Sequence, residues 1–195
     1  MGLGVGFDNE TDIEGEIIAN NIIIDNIQIK DGAINEYFLQ SDAVGNAIWY
    51  PAWTPSYGEI YWTSNTNTTI ISKGIYTKAL GISIIGNLSN FTVIGDNRLR
   101  YDGVKTNIFN VCVSSTIEPS YGRKKEVGMK IAKNGILEEQ KIVATTDSGI
   151  PIPLTLNINI SLSTNDYIEL YVTTQNDDSN IDVIDMNMTI NTLTQ

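Results

Sequence analysis

From residue 154 to residue 162 the chain alternates without a break, setting Leu154, Leu156, Ile158, Ile160 and Leu162 against Thr155, Asn157, Asn159 and Ser161. A period of two puts each set on its own side of an extended backbone, whereas a helix would scatter both around its circumference. The segment reads as a strand with one face in a core and one in water, the pattern of an antiparallel sandwich. Further strands are predicted at 59–62, 68–71, 74–85, 91–94, 99–101, 107–114, 127–132, 136–144, 167–173 and 182–193, and no stretch has helical spacing. Lys133-Asn134-Gly135 lies between two of them. Asn-Gly tolerates the positive φ of a type I′ turn, so those two strands are predicted to form a hairpin. No blade-length repeat supports a propeller, and the 16 glycines lack the period of three that a collagen-like stem requires.

Charge and composition narrow the function. In 195 residues, 23 acids face 12 bases for a net charge of -11. That sign repels phosphate backbones and anionic bilayers, which argues against nucleic acid as a partner. No apolar run is long enough to predict membrane insertion, and residues 1–8 lack the basic and apolar regions of a secretory leader. The chain has no histidine. The usual general base, metal ligand and pH switch are therefore missing together, and neither an enzyme nor a cofactor is expected. Cys112, the single cysteine, cannot form an intrachain disulfide and reads as a small strand residue between Val111 and Val113. Stability has to come from burial or from association.

The front of the chain reads differently. Ile22, Ile24, Ile27 and Ile29 recur at mostly two-residue spacing, and Ile22-Ile23-Ile24 is apolar at consecutive positions. One strand cannot bury such a run by itself, whereas three copies wound about an axis can, so a homotrimer is expected. Ser41-Asp42-Ala43-Val44-Gly45-Asn46 then supplies turn chemistry between two apolar stretches, a second predicted hairpin. The stretch from Tyr37 to Trp49 resembles a segment frequent in phage and large-virus fibre and tail proteins, which commonly precedes a receptor-binding head. Pro51 and Pro55 flank Trp53 and bias the backbone to extended geometry. The predicted division is a β-rich shaft or virion-attachment segment over 1–55 and a head over 56–195.

Within the head the order of elements resembles the jelly roll shared by tumour necrosis factor and the globular head of the first complement component. The strand over 107–114 is similar to that family's early core strand, and the stretch from Val127 to Gly135 to its hairpin of a hydrophobic strand followed by Lys-Asn-Gly. The strand over 154–162, the turn Ser163-Thr164-Asn165-Asp166 and the returning strand over 167–172 are similar to its penultimate hairpin. Met186-Asn187-Met188-Thr189 departs from the closing signature of complement-type heads. The resemblance implies an all-β, antiparallel β-sandwich of TNF-like type that assembles into a compact threefold homotrimer and binds a ligand on loops or between subunits. In such a trimer Tyr167 and Tyr171, opposite Ile168, Leu170 and Val172, are candidates for the subunit interface together with Ile22, Ile24, Ile27 and Ile29.

Other candidate sites follow from residue chemistry. Arg123-Lys124-Lys125 forms the one basic cluster and suits an anionic glycan. Asp177, Asp178, Ser179, Asn180, Asp182 and Asp185 offer oxygen atoms to a cation, without the spacing of a calcium loop. Trp53, Tyr57, Tyr61 and Trp62 suit either sugar stacking or packing of head on stem. Glu138 and Glu139 are adjacent, so a strand sends them to opposite faces and they make no glycosidase pair. The expected function is that of a homotrimeric virion surface or fibre protein whose head attaches to a host receptor or glycan. The alternative is a capsid decoration or cement protein whose partners are capsid proteins.

Overall fold

The computed structural model describes residues 37–41, 44, 47–51, 55–63, 66–95 and 97–193, all strand, turn or irregular backbone. Ile22, Ile24, Ile27, Ile29 and Trp53 lie outside the described residues. The chain divides into two units, Met1–Ala52 and Trp53–Gln195. In the first, β1 (Tyr37–Ser41) and β2 (Ala47–Pro51) pair antiparallel as the predicted hairpin, with Tyr37 opposite Pro51 and Ser41 opposite Ala47.

The second unit is a sandwich. Its strands are β3 (Tyr57–Trp62), β4 (Thr66–Thr68), β5 (Thr77–Lys78), β6 (Ile84–Ser89), β7 (Phe91–Ile94), β8 (Arg98–Tyr101), β9 (Asn107–Pro119), β10 (Lys125–Lys133), β11 (Ile136–Thr146), β12 (Ile152–Leu162), β13 (Tyr167–Thr174) and β14 (Ile181–Thr192). One six-stranded sheet runs β12-β9-β14-β3-β6 with β4 added beside β14; the other runs β11-β10-β13-β8-β7 with β5 added beside β13. Every pairing is antiparallel.

Register carries the alternation across the sheets. Leu156 pairs Val113, Val113 pairs Met188 and Met188 pairs Ile60, so one buried row crosses four strands. In the facing sheet Met129 pairs Val172 and Ile131 pairs Leu170, all buried. Each such side chain removed from water contributes about 1.5–3 kcal/mol. Phe91, Tyr101 and Phe109 close one end of the core, with ring centroids 4.9 to 5.4 Å apart. The Tyr101 hydroxyl donates to the Lys105 carbonyl at 2.9 Å, so its polar tip is satisfied.

Asn134 and Gly135 have φ of 53° and 78°, and Lys133 stands opposite Ile136, which makes the predicted two-residue hairpin. This turn is tied to the one before β13. Asn134 Nδ2 donates to Asp166 Oδ1 at 2.7 Å, while Lys133 Nζ and the Ser163 amide both reach Asp166 Oδ2 at 2.8 Å. Burial works against the Asp166 charge, but the Lys133, Ser163 and Asn134 hydrogen bonds outweigh it and hold the carboxyl below its ordinary value.

Three predicted elements are corrected. Residues 74–85 do not form one strand, because β5 belongs to one sheet and β6 to the other, so the chain between them has to cross the sandwich. It crosses at Gly81, where an added Cβ would collide with the Trp62 indole. Trp62 Nε1 donates to Ser83 Oγ at 3.1 Å, and Ser83 donates on to Asn97 Oδ1 at 2.8 Å. The strand expected at 68–71 instead ends at Thr68, since the Ile70 amide donates to the Asn180 side chain at 3.2 Å rather than to a neighbouring strand. The strand expected to end at 114 continues to Pro119, held by β14, whose Ile181 pairs Pro119.

The charges are sorted by sheet. No Lys or Arg occurs in β3, β4, β6, β9, β12 or β14. Lys78, Arg98, Arg100, Lys125, Lys130, Lys133 and Lys141 all stand in strands of the other sheet. The β9 sheet carries Glu59, Glu118, Asp182 and Asp185; the β13 sheet carries Glu126, Glu138, Glu139 and Glu169. One sheet is thus net basic and the other net acidic. Amide and hydroxyl ladders run over the outward side of the acidic sheet: Asn110 Nδ2 donates to Asn157 and Asn159, and Ser114 meets Thr155 at 3.1 Å. Cys112 stands half-buried in this sheet as a free thiol.

Gly81→Ala is expected to destabilise the sandwich by about 1–3 kcal/mol in urea unfolding, because the indole has no free space to receive a methyl group. Asp166→Asn should cost about 1 kcal/mol at neutral pH through its lost charged hydrogen bonds. A lowered carboxyl stabilises the fold above its unfolded value and ceases to do so as pH falls through the lowered folded value. The gap between wild type and Asp166→Asn should therefore close on acidification.

Candidate functional site

Alternation along β13 sends Ile168, Leu170 and Val172 into the core and leaves Tyr167, Glu169, Tyr171 and Thr173 on the outward side. Glu169 is nevertheless buried, its side chain 1% exposed. Register explains why. It faces the small Ala132 on one side, while Arg98, next to the Leu99 that pairs Ile168, covers it from the other. Arg98 Nε donates to Glu169 Oε1 at 2.7 Å, and Lys78 Nζ reaches the same oxygen at 2.8 Å. The other oxygen, Oε2, is buried with no hydrogen-bond partner.

Tyrosines surround this ion cluster. The Arg98 guanidinium carbon lies 4.8 Å from the Tyr167 ring centroid, and Lys130 Nζ lies 5.4 Å from that of Tyr76. Both are cation–π distances. Tyr171 stands in register with Lys78 on one side and Lys130 on the other. Burial pushes the Tyr171 phenol upward, with Glu169 and Tyr167 adding to the shift against Arg98. Burial also raises Tyr76, against the hydrogen bond from Gln175. Both phenols therefore stay neutral at physiological pH and keep their O–H donors. The surface combines half-buried aromatic rings, fixed cations and phenolic donors, a set suited to binding rather than to covalent chemistry.

The loop candidates are dispersed. Lys125 is buried in an ion pair with Asp177 and lies 5.5 Å from the Tyr121 ring centroid. Lys124 has φ of 50° and donates its amide to Asp147 at 2.8 Å; Arg123 is exposed. The three cations are thus not presented together. Among the acids, Asp182 accepts from Asn67 at 2.6 Å and Asp185 from the Thr116 amide at 2.9 Å. Among the described residues no three acidic or thiol side chains gather in a metal-holding group. An open hollow of about 330 Å³ lies nearby, lined by Ile71, Ser72, Lys73, Asp177 and Asp178. Trp62 belongs to the core, whereas Tyr57 is exposed and Tyr61 half-buried.

Tyr167 and Tyr171 were legible from the alternation of β13; the cations beside them were not. A carboxylate between two tyrosines on one strand face is visible in Tyr167-Ile168-Glu169-Leu170-Tyr171. Its partner Arg98 lies 71 positions earlier, and only the pairing of β8 with β13 brings the two together.

No family model matches the chain, and no curated protein matches it in sequence. Among solved structures, murine APRIL aligns over 72% of this chain and 100% of its own, with a TM-score of 0.50 and 10% identity. Eiger TNF from S. frugiperda aligns over 72% and 94%, with a TM-score of 0.48 and 9% identity. The PRD1 vertex protein P5 aligns over 71% and 97%, with a TM-score of 0.45 and 8% identity. The likeness to murine APRIL is one of fold, and the second unit is an antiparallel jelly roll of TNF-like fold.

Replacing Lys78 and Arg98 together by Met should strand the Glu169 carboxylate and cost about 3–5 kcal/mol in chemical unfolding. Adding Glu169→Met should recover most of that loss. A double variant as stable as wild type would show that the ion cluster carries no stability.

Proposed function

We propose that this chain is a non-enzymatic recognition protein, a homotrimeric fibre-type protein of a virion surface. In this reading residues 1–55 serve as shaft or attachment segment and residues 56–195 as the head that docks to a host receptor or glycan. The resemblance of the stretch from Tyr37 to Trp49 to fibre segments supports the placement on a particle, and the number three comes from the resemblance of the head.

One observation carries the assembly. The two open sides of the sandwich, at β6 and β7 and at β11 and β12, both leave large apolar side chains in water. On the first side Ile82 is 75% and Ile85 58% exposed; on the second Ile136 is 75% and Ile150 56% exposed. The first side also holds an open hollow of about 220 Å³ lined by Ile82, Ile85 and Val93 among others. On the second, Ile136 and Leu137 protrude directly after the hairpin turn, and Val143 and Ile150 stand toward the far end of β11. In this reading the two different sides meet in a heterologous contact, which closes into a ring when the rotation allows. Burying each isoleucine contributes about 1.5–3 kcal/mol, so leaving both rows in water is unfavourable for a lone copy. Tyr167 and Tyr171 are assigned to recognition instead of to the subunit contact, because cations and a carboxylate stand among them.

Light scattering at micromolar concentration is expected to give three times the 21.5 kDa chain mass. Ile85→Asp and Ile136→Asp should each give monomers. Mixed together, they should form a heterodimer through the one remaining pair of intact sides. A monomeric wild type, or a mixture that stays monomeric while each variant folds, would reject this assembly.

A further inference from the structure

We infer that the outward face around β13, β8 and β5 binds a carboxylate-bearing pyranose, with Arg98 as the group that grips the carboxylate. This rests on the reading of the chain as a recognition head and adds the surface and the ligand class.

Arg98 is built for such contact. Its Nε is tied to Glu169 and its plane is covered by Tyr167, which leaves the four N–H groups of its terminal fork as the remaining donors. Among the described residues neither terminal nitrogen has an acceptor. A guanidinium already immobilised on two sides forms a bidentate bond with less loss of freedom than a mobile surface arginine. Glu169 is the positioning residue. A fully buried carboxylate with one oxygen shared by two cations and the other orphaned is a costly arrangement, and its structural effect is to hold Arg98 and Lys78 against the sheet. Tyr171 and Tyr76 supply half-buried ring surface and neutral phenols for the apolar face and hydroxyls of a sugar.

Position and charge select the occupant. β13 is hydrogen-bonded on both sides, to β10 and to β8 and β5, so it has no free edge on which a peptide could add as a strand. A ligand on this face therefore contacts side chains, not the β13 backbone. The whole chain is net -11, which disfavours polyanions such as nucleic acid or densely sulfated polymers. A ring bearing one carboxylate meets the local cations without bringing many charges near the acids elsewhere.

The test titrates the full chain by calorimetry with sialyllactose, with lactose, and with a short tetraglutamate peptide. Sialyllactose is expected to bind at least about tenfold tighter than lactose or the peptide, as a charged hydrogen-bond pair implies. Arg98→Lys, which keeps the charge over Glu169 but removes the fork, should weaken sialyllactose about tenfold while circular dichroism stays unchanged. Tyr171→Ala should weaken it as well. Equal binding of lactose, preference for the peptide, or indifference to Arg98→Lys overturns the assignment. Light scattering on the same samples separates the two readings: a trimer that ignores sialyllactose rejects only the ligand, and a monomer that binds it through Arg98 rejects only the assembly.

Discussion

Every long strand of the second unit has to hide one side in the same core, and this single demand organises the sandwich. β9 and β12 alternate strictly and β14 does so on either side of its bulge, and their pairing brings apolar residue opposite apolar residue over most of their length. A slip of one residue in any of them would turn its whole apolar set outward. The register is therefore specified by burial, and the turns only have to permit it. The exceptions are local: the bulge between Val183 and Asp185 lets Val183 and Met186 both face inward although three positions separate them.

Once the core has claimed one side of each strand, chemistry is confined to the other. The two outward sides are used differently. Asparagine, serine and threonine ladders on the β9 sheet satisfy one another by hydrogen bonds, and the charges beside them are all acidic. The β13 sheet takes every strand-borne cation. In a chain of net -11 this sorting gives the sandwich a basic side and an acidic side, a polarity invisible in the total. Orientation toward an anionic ligand follows from such sorting even when the molecule as a whole is repelled by polyanions.

What could be read from residue order was what period two encodes: strands, their inward sets, and the Asn134-Gly135 hairpin. Alternation in Leu154 to Leu162 identifies a sandwich strand because burial acts on each residue alone. It fails between residues 74 and 85, where Ile75, Ile82, Ile84 and Ile85 mimic a strand. There the controlling event is Gly81 meeting Trp62, a contact between residues nineteen positions apart. The candidate site divides in the same way. Tyr167 and Tyr171 declare their face through their own strand, whereas Lys78, Arg98 and Glu169 become neighbours only through the pairing of β5 and β8 with β13. Arg123-Lys124-Lys125 shows the reverse failure. Adjacency in sequence suggested a patch, but the turn that gives Lys124 a positive φ sends Lys125 inward to Asp177.

The buried glutamate is the feature least explained by folding alone. A leucine at position 169 would sit beside Ala132 without any charge to neutralise, and isosteric apolar replacements of buried ion pairs are often neutral or stabilising. The apolar solution would nevertheless release Lys78 and Arg98 into solvent, where long cationic side chains sample many rotamers. Keeping a carboxylate there exchanges core stability for two cations held at fixed positions between tyrosine rings. Such fixed cations between rings are what the proposed recognition surface on the outward side of β13 requires.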